Sequence, residues 1–262
     1  MTQRRAQLVC VAALFCFLAT VSARAEWKVT NSERESSPNE LVEHWKTAVE
    51  NSETAESASL HFAVFATRTA TLRVIDQPAA PRSELAEVMA QTHALAGVNC
   101  GYFDPDDAPL GLLVSDGRII SPLRKARLLT GVLTAGATRV DVVRATRFSM
   151  NDKIRSARQC GPLLVERAAP VAGLNDTRPA RRTFAAVDGA GHAALGVCSA
   201  VSLAQLGRIL ALTNPTGKMK IVRALNLDGG SSSGFWFARK EGAFSIREQK
   251  QVRDFVAIVP RP

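Results

Sequence analysis

Between Met219 and Ser233 the chain passes from an apolar run into one acid, two glycines and three hydroxyls: Ala224-Leu225-Asn226-Leu227-Asp228-Gly229-Gly230-Ser231-Ser232-Ser233. The run from Met219 to Leu227 predicts a short buried strand, so the fold must supply a sheet that covers it. The strand stops on a carboxylate, Asp228. Glycine directly after it permits positive φ and a close approach of another backbone, and amides in such a turn can converge on an anion. An acid held at a strand end is suited to catalysis. The same residues also make an ordinary Asp-capped turn, and the local pattern does not separate the two.

A second stretch changes the balance. Ala96-Gly97-Val98-Asn99-Cys100-Gly101-Tyr102-Phe103-Asp104 is followed by Pro109-Leu110-Gly111-Leu112 and Asp116-Gly117. Further on come Cys160-Gly161-Pro162-Leu163-Leu164 and Arg181-Arg182-Thr183, and then Leu227-Asp228-Gly229-Gly230. Taken in this order, over roughly residues 60 to 260, these blocks resemble the phosphodiester glycosidase family. The chain departs from the family pattern at Cys100, where glycine is usual, and at Ser231, where a third glycine is usual.

The resemblance implies a hydrolase that cleaves the sugar side of a sugar-phosphate diester or a related glycosidic bond. Asp228 is then the nucleophile, or the base towards water. Asn99 and Asp104 are the other catalytic candidates. An Asn amide can hold a sugar hydroxyl but also makes Asx-turns, and an acid before proline, as in Asp104-Pro105, is often a loop residue. Asp116 is most simply a hairpin residue. The resemblance sets an arginine before threonine, which selects Arg182 as the phosphate clamp through its planar guanidinium. Gly101, Gly229, Gly230, Ser231 and Ser232 are the remaining candidates for substrate or phosphate contacts. The competing reading is a non-catalytic glycan-binding or envelope-assembly protein that keeps the fold, and the Cys100 departure favours it. No Gly-x-Ser-x-Gly elbow is present, which argues against a Ser-His-Asp triad.

Composition narrows the class. The chain has 262 residues and is 46% hydrophobic, enough for one substantial core. Arg4 and Arg5 precede an apolar run from Leu8 to Val21, and Ala23 and Ala25 form an A-x-A site. This predicts a signal peptide over residues 1–25 and a periplasmic or secreted protein with no span after cleavage. Loss of Arg4, Arg5 and Arg24 lowers the net charge from +9 to +6. Aromatics are 6% and do not interleave with the basic residues, which argues against nucleic acid. A glycan or sugar-phosphate is the expected partner.

Beyond the signal run three cysteines remain, Cys100, Cys160 and Cys198. The family-like blocks imply that Cys100 and Cys160 line one cleft, where a disulfide is as good an expectation as two reduced thiols. Cys198 reads as a buried free thiol. The four histidines, His44, His61, His93 and His192, lack metal-ligand spacing and read as structural or surface residues. No metal site and no cofactor is evident, and a divalent cation is the one addition the sequence leaves open.

The expected architecture is α+β: a single mixed domain of many short strands, residues 60–262, with a few helices packed on the sheet. Residues 26–59 read as a polar, flexible leader carrying a short helix, Glu40 to Glu50, with Leu41, Trp45 and Val49 on one face. A helix is expected after Ser83. A second is expected after Ser202, where Gln205 completes a capping box. Asp116-Gly117 and Asp188-Gly189 predict hairpins. Asp152 to Gln159 reads as a helical turn.

Overall fold

The computed structural model describes residues 27–261, so the expected signal peptide lies outside the described residues. The chain is built mainly of β-structure, further towards β than the α+β expectation. Among the described residues it has eighteen strands and two α-helices. Every strand pairing is antiparallel, and the strands form one eight-stranded and two five-stranded sheets.

The large sheet opens with β1 (Trp27–Ser36), β2 (Val42–Asn51) and β3 (Ser57–Ala66). It continues through β14 (His192–Val201), β13 (Ala180–Val187) and β15 (Arg223–Asn226) to β11 (Leu163–Glu166) and β12 (Ala169–Pro170). The expected helix over Glu40–Glu50 is therefore strand β2, and the expected leader is the edge of this sheet. The Leu41, Trp45, Val49 spacing fits a helix, but Val42 and His44 also alternate as in a strand and both are buried. Pairing with β3 along its whole length decides between the two periods, because it buries that alternate face. β1 is exposed along most of its length and rich in charge, as suits a sheet edge.

One five-stranded sheet contains β4 (Ala70–Asp76), β5 (Ala96–Asn99), β16 (Phe235–Ala238), β17 (Ala243–Ile246) and β18 (Asp254–Pro260). The other contains β6 (Leu113–Ser115), β7 (Arg118–Ser121), β8 (Gly131–Gly136), β9 (Val140–Arg144) and β10 (Ile154–Cys160). The turn expected at Asp152–Gln159 is thus mostly strand β10. Its polar residues disguised it: Arg158 and Gln159 are buried, where polar side chains are rare.

The main core lies between the sheets and joins inward residues such as Ala185, Leu195 and Leu225 of the large sheet to Val98, Phe235, Val256 and Leu133 of the smaller ones. Helix α2 (Leu203–Leu212) covers the outer face of the large sheet with Leu206, Ile209 and Leu210. It starts at Ser202 with the expected capping box. Helix α1 (Leu85–Gln91) lays Leu85, Val88 and Met89 on Trp236 and Phe255. Both hairpins form, β6–β7 at Asp116-Gly117 and β13–β14 at Asp188-Gly189. No helix among the described residues is long and apolar enough to cross a membrane.

Candidate active site

Strand β15 carries Leu225 into the main core, Leu227 follows it there just past the strand, and the chain then turns at Asp228. The turn is held from outside. Asp228 N donates to the Cys100 carbonyl at 2.9 Å, and Asn99 Nδ2 donates to the Asp228 carbonyl at 2.7 Å. Asn99 is fully buried, and its Oδ1 accepts from Thr183 Oγ1 at 2.7 Å and from Gly234 N at 3.1 Å. Both ends of its amide are engaged with protein. Asn99 therefore clamps the two motif loops together, and no end of its amide is left free for a substrate.

The glycines have distinct reasons. A Cβ on Gly229 would lie 2.9 Å from the Arg181 carbonyl oxygen, so the loop can cross β13 only without a side chain. Gly230 has φ +64, the left-handed region that favours glycine. It begins a short 3-10 turn, Gly230–Ser232. Gly229 N donates to Asp228 Oδ1 at 2.9 Å, and the Ser231 carbonyl accepts from Gln249 N at 2.7 Å. The Ser232 hydroxyl is buried, faces Asp228, and makes no hydrogen bond of good geometry.

The Asp228 carboxylate is half-buried, and burial raises its pKa above the ordinary Asp value. The Ser232 hydroxyl, the charge of Lys250 and the Gly229 amide oppose that shift, while the charge of Asp254 adds to it. A desolvated carboxylate on a rigid strand end is a stronger base than one in water. Tyr102 lies next to it. Its hydroxyl donates to the Gly161 carbonyl at 2.6 Å and accepts from Asn226 Nδ2 at 2.8 Å, and burial keeps it protonated.

A buried ion pair supports the Asn99 side. Arg158 and Asp254 are both fully buried and meet at 3.1 Å. Asp254 Oδ1 accepts from Gly101 N at 2.7 Å, and Arg158 Nη2 donates to the Tyr102 carbonyl at 2.6 Å. A Cβ on Gly101 would fall 1.9 Å from Arg158 Nε. Gly101 is thus a packing glycine under the loop. Sequence reasoning missed both charges, since β10 did not read as a strand and Asp254 lies outside the motif blocks. The available signal was that Gly101 must admit something bulky.

Asp104 is placed in its own turn, where Oδ1 accepts from Asp106 N at 3.0 Å and Ala108 N at 2.8 Å. Arg182 packs its Cδ beside Gly229, and its charge reaches Tyr102. Two of its donors, however, go to backbone carbonyls: Nε to Val201 at 3.0 Å and Nη2 to Arg178 at 2.6 Å.

Of the two alternatives for Cys100 and Cys160, the disulfide is absent: Cys100, Cys160 and Cys198 are all free and buried. Cys160 Sγ instead points at the Cys100 carbonyl at 3.8 Å, so the two blocks do meet, but thiol against backbone. Burial pushes the Cys160 and Cys198 thiols up to about 12 and keeps them protonated. Cys100 does not have a positive φ. It meets the site through its backbone, the carbonyl to Asp228 N and the amide to the Asp254 carbonyl, so its departure from glycine does not require a left-handed loop. Among the described residues no group of three or more His, Cys, Asp or Glu is placed to hold a metal ion.

The sequence pattern of the phosphodiester glycosidases matches residues 92–259. No curated protein matches the chain. Among solved structures, a hypothetical protein from Synechocystis superposes with TM-score 0.59 at 15% identity, over 84% of this chain and 62% of that one, so the chain spans less than two thirds of its length. The catalytic domain of zebrafish N-acetylglucosamine-1-phosphodiester alpha-N-acetylglucosaminidase, auto-inhibited by its pro-peptide, gives TM-score 0.57 at 15% identity, over 91% and 84%. A protein of Burkholderia pseudomallei K96243 gives 0.55 at 14%, over 80% and 75%. At these identities the likeness is one of fold. The pattern match covers more than half of the chain and all the blocks that converge on Asp228, and the protein belongs to the phosphodiester glycosidase family.

Proposed function

We propose that this protein is an exported hydrolase that cleaves a sugar-phosphate diester on the sugar side, with Asp228 as the catalytic carboxylate. One observation carries the reading. The Asn99 block holds Asp228 directly, the Arg181-Arg182-Thr183 block packs on Gly229 and Leu227 beside it, the Cys160-Gly161 block anchors the neighbouring Tyr102 and Asn226, and the Asp228 carboxylate is left desolvated and half-open.

In this reaction Asp228 either attacks the anomeric carbon, and water then hydrolyses the glycosyl ester to free the sugar and the carboxylate, or removes a proton from a water that attacks it directly. The bond from that carbon to the bridging oxygen breaks, and its electron pair leaves on the phosphate. A phosphate monoester, with a second pKa of about 6, leaves without strong acid help. The reaction therefore does not require a second carboxylate beside Asp228, consistent with Asp104 being occupied in its turn. Asn99 and Gly229 fix the carboxylate's position. Arg182, which packs beside Gly229, and the Ser232 hydroxyl, which faces Asp228, border the carboxylate.

Turnover of a sugar phosphodiester by wild type and by Asp228→Asn tests the reading. Loss by orders of magnitude with retained folding supports it, and equal turnover removes Asp228 from the mechanism. Export is tested by intact mass, with Glu26 expected at the mature N-terminus. The non-catalytic alternative rested on Cys100, which supplies only backbone groups to the site.

A further inference from the structure

The segment between β17 and β18 lies across the Gly-Ser loop as a strap, and nearly every polar group in it is tied down. Arg247 pairs with Glu84. Glu248 is buried, accepts from Leu85 N at 2.7 Å and packs against Gly234. Gln249 N holds the Ser231 carbonyl at 2.7 Å. Gln251 Nε2 donates to the Arg82 carbonyl, and Arg253 pairs with Asp76 at 2.6 Å.

Lys250 is the exception. It is exposed, and among the described residues no carboxylate lies within the 4.0 Å of an ion pair. Its ammonium sits over the Phe103 ring, 4.9 Å from the centroid, and Phe103 belongs to the loop that follows Asn99. The ring fixes a flexible side chain at modest energy without neutralising it. Its charge reaches the Asp228 carboxylate, yet the two do not form an ion pair. Its neighbour Gln249 is bonded to the Ser231 carbonyl of the Gly-Ser loop and its own ammonium rests on the Asn99 loop, so Lys250 is held by both loops that bound Asp228.

We propose that Lys250, seated on Phe103, binds the phosphoryl oxygens of the substrate and so sets the preference for a phosphodiester over a neutral glycoside. This rests on Asp228 being the catalytic carboxylate. A phosphodiester carries one negative charge on its non-bridging oxygens, and a lysine serves such a group as a point charge. Arg182 is less available for that contact, since backbone carbonyls take two of its donors. Beyond Lys250 the strap borders a polar cavity of about 910 Å³, lined by Arg82, Glu84, Glu87, Arg247 and Gln251 among others.

The test uses the mature protein, with Lys250→Met and Lys250→Arg. Because Lys250 is exposed and unpaired, both variants keep the wild-type Tm, which checks the fold. Inorganic phosphate titrated into each protein by calorimetry reads binding directly. The expected result is a dissociation constant at least tenfold higher for Lys250→Met, with partial recovery in Lys250→Arg. In kinetics, a charged hydrogen bond of about 1.5–3 kcal/mol corresponds to a loss of kcat/KM of about 10- to 150-fold on a sugar phosphodiester beyond any loss on the matching neutral aryl glycoside. Equal phosphate affinity in wild type and Lys250→Met, or equal kinetic losses on the two substrates, overturns the assignment while leaving Asp228 in place. If Asp228→Asn turns over normally, the catalytic reading falls and the phosphate titration still decides Lys250.

Discussion

Replacing Asp254 with alanine removes the counter-ion of a guanidinium that has no access to water. Arg158 and Asp254 are both fully buried, and Arg158 meets the carboxylate through Nε at 3.2 Å and Nη2 at 3.1 Å. Breaking such a pair from one side costs about 3–5 kcal/mol, because the remaining charge stays buried without compensation. Asp254 Oδ1 also accepts the Gly101 amide at 2.7 Å, and orphaning that amide adds about 1–3 kcal/mol. The sum approaches the whole stability of an ordinary domain, about 5–15 kcal/mol. At about 2–4 °C per kcal/mol for a chain of this size, Tm should fall by about 10–30 °C. The double variant Arg158→Met/Asp254→Leu removes both charges and leaves only neutral groups unpaired, Gly101 N and the Leu110 carbonyl, while the Tyr102 carbonyl keeps the Leu110 amide. It should be more stable than Asp254→Ala by at least about 2 kcal/mol. Urea unfolding followed by circular dichroism measures all of these. A single-variant loss below about 1 kcal/mol, or a double variant no better than the single, would show that the pair is not the buried support described here.

Four further outcomes follow from particular contacts. Asp228→Asn should gain stability at neutral pH: burial raises the folded pKa above the unfolded one, so the ionised form opposes folding, and the gain should vanish as acid protonates the wild-type residue. For the same reason the acidic limb of the rate profile should lie above the ordinary Asp range. Burial of His61, with the charges of His44 and Lys46 added, lowers its pKa to about 4, whereas Glu35 acts the other way. Its contribution is present above the unfolded value of 6.5 and lost as pH falls towards 4, so Tm should drop across that window, and less in a folded His61→Phe. Gly101→Ala places a carbon 1.9 Å from Arg158 Nε and should fold poorly, read as low Tm or insoluble expression. In the mature protein expected to start at Glu26, three thiols should titrate after unfolding without reductant, and none rapidly in the folded state.

The sequence by itself determined the local devices. Asp116-Gly117 and Asp188-Gly189 sit between apolar runs and could only be hairpins, and Ser202 with Gln205 carries its cap in four residues. Short-range chemistry decides such features, because every partner lies within a few positions. The acid-Gly-Gly strand end was legible for the same reason, and so was the family.

Tertiary structure decided what depended on distant partners. The period of residues 41–49 fitted a helix until β3 buried the alternate face. Arg158 was buried because Asp254, 96 residues away, neutralises it, and no local rule predicts a charged residue inside. Asn99 became a clamp because Thr183 and Gly234 take its carbonyl and Asp228 takes its amide. Lys250 gained a role only when the strap crossed the Gly-Ser loop and set it on Phe103. The sequence named the residue types, and the long-range contacts settled which of them face each other.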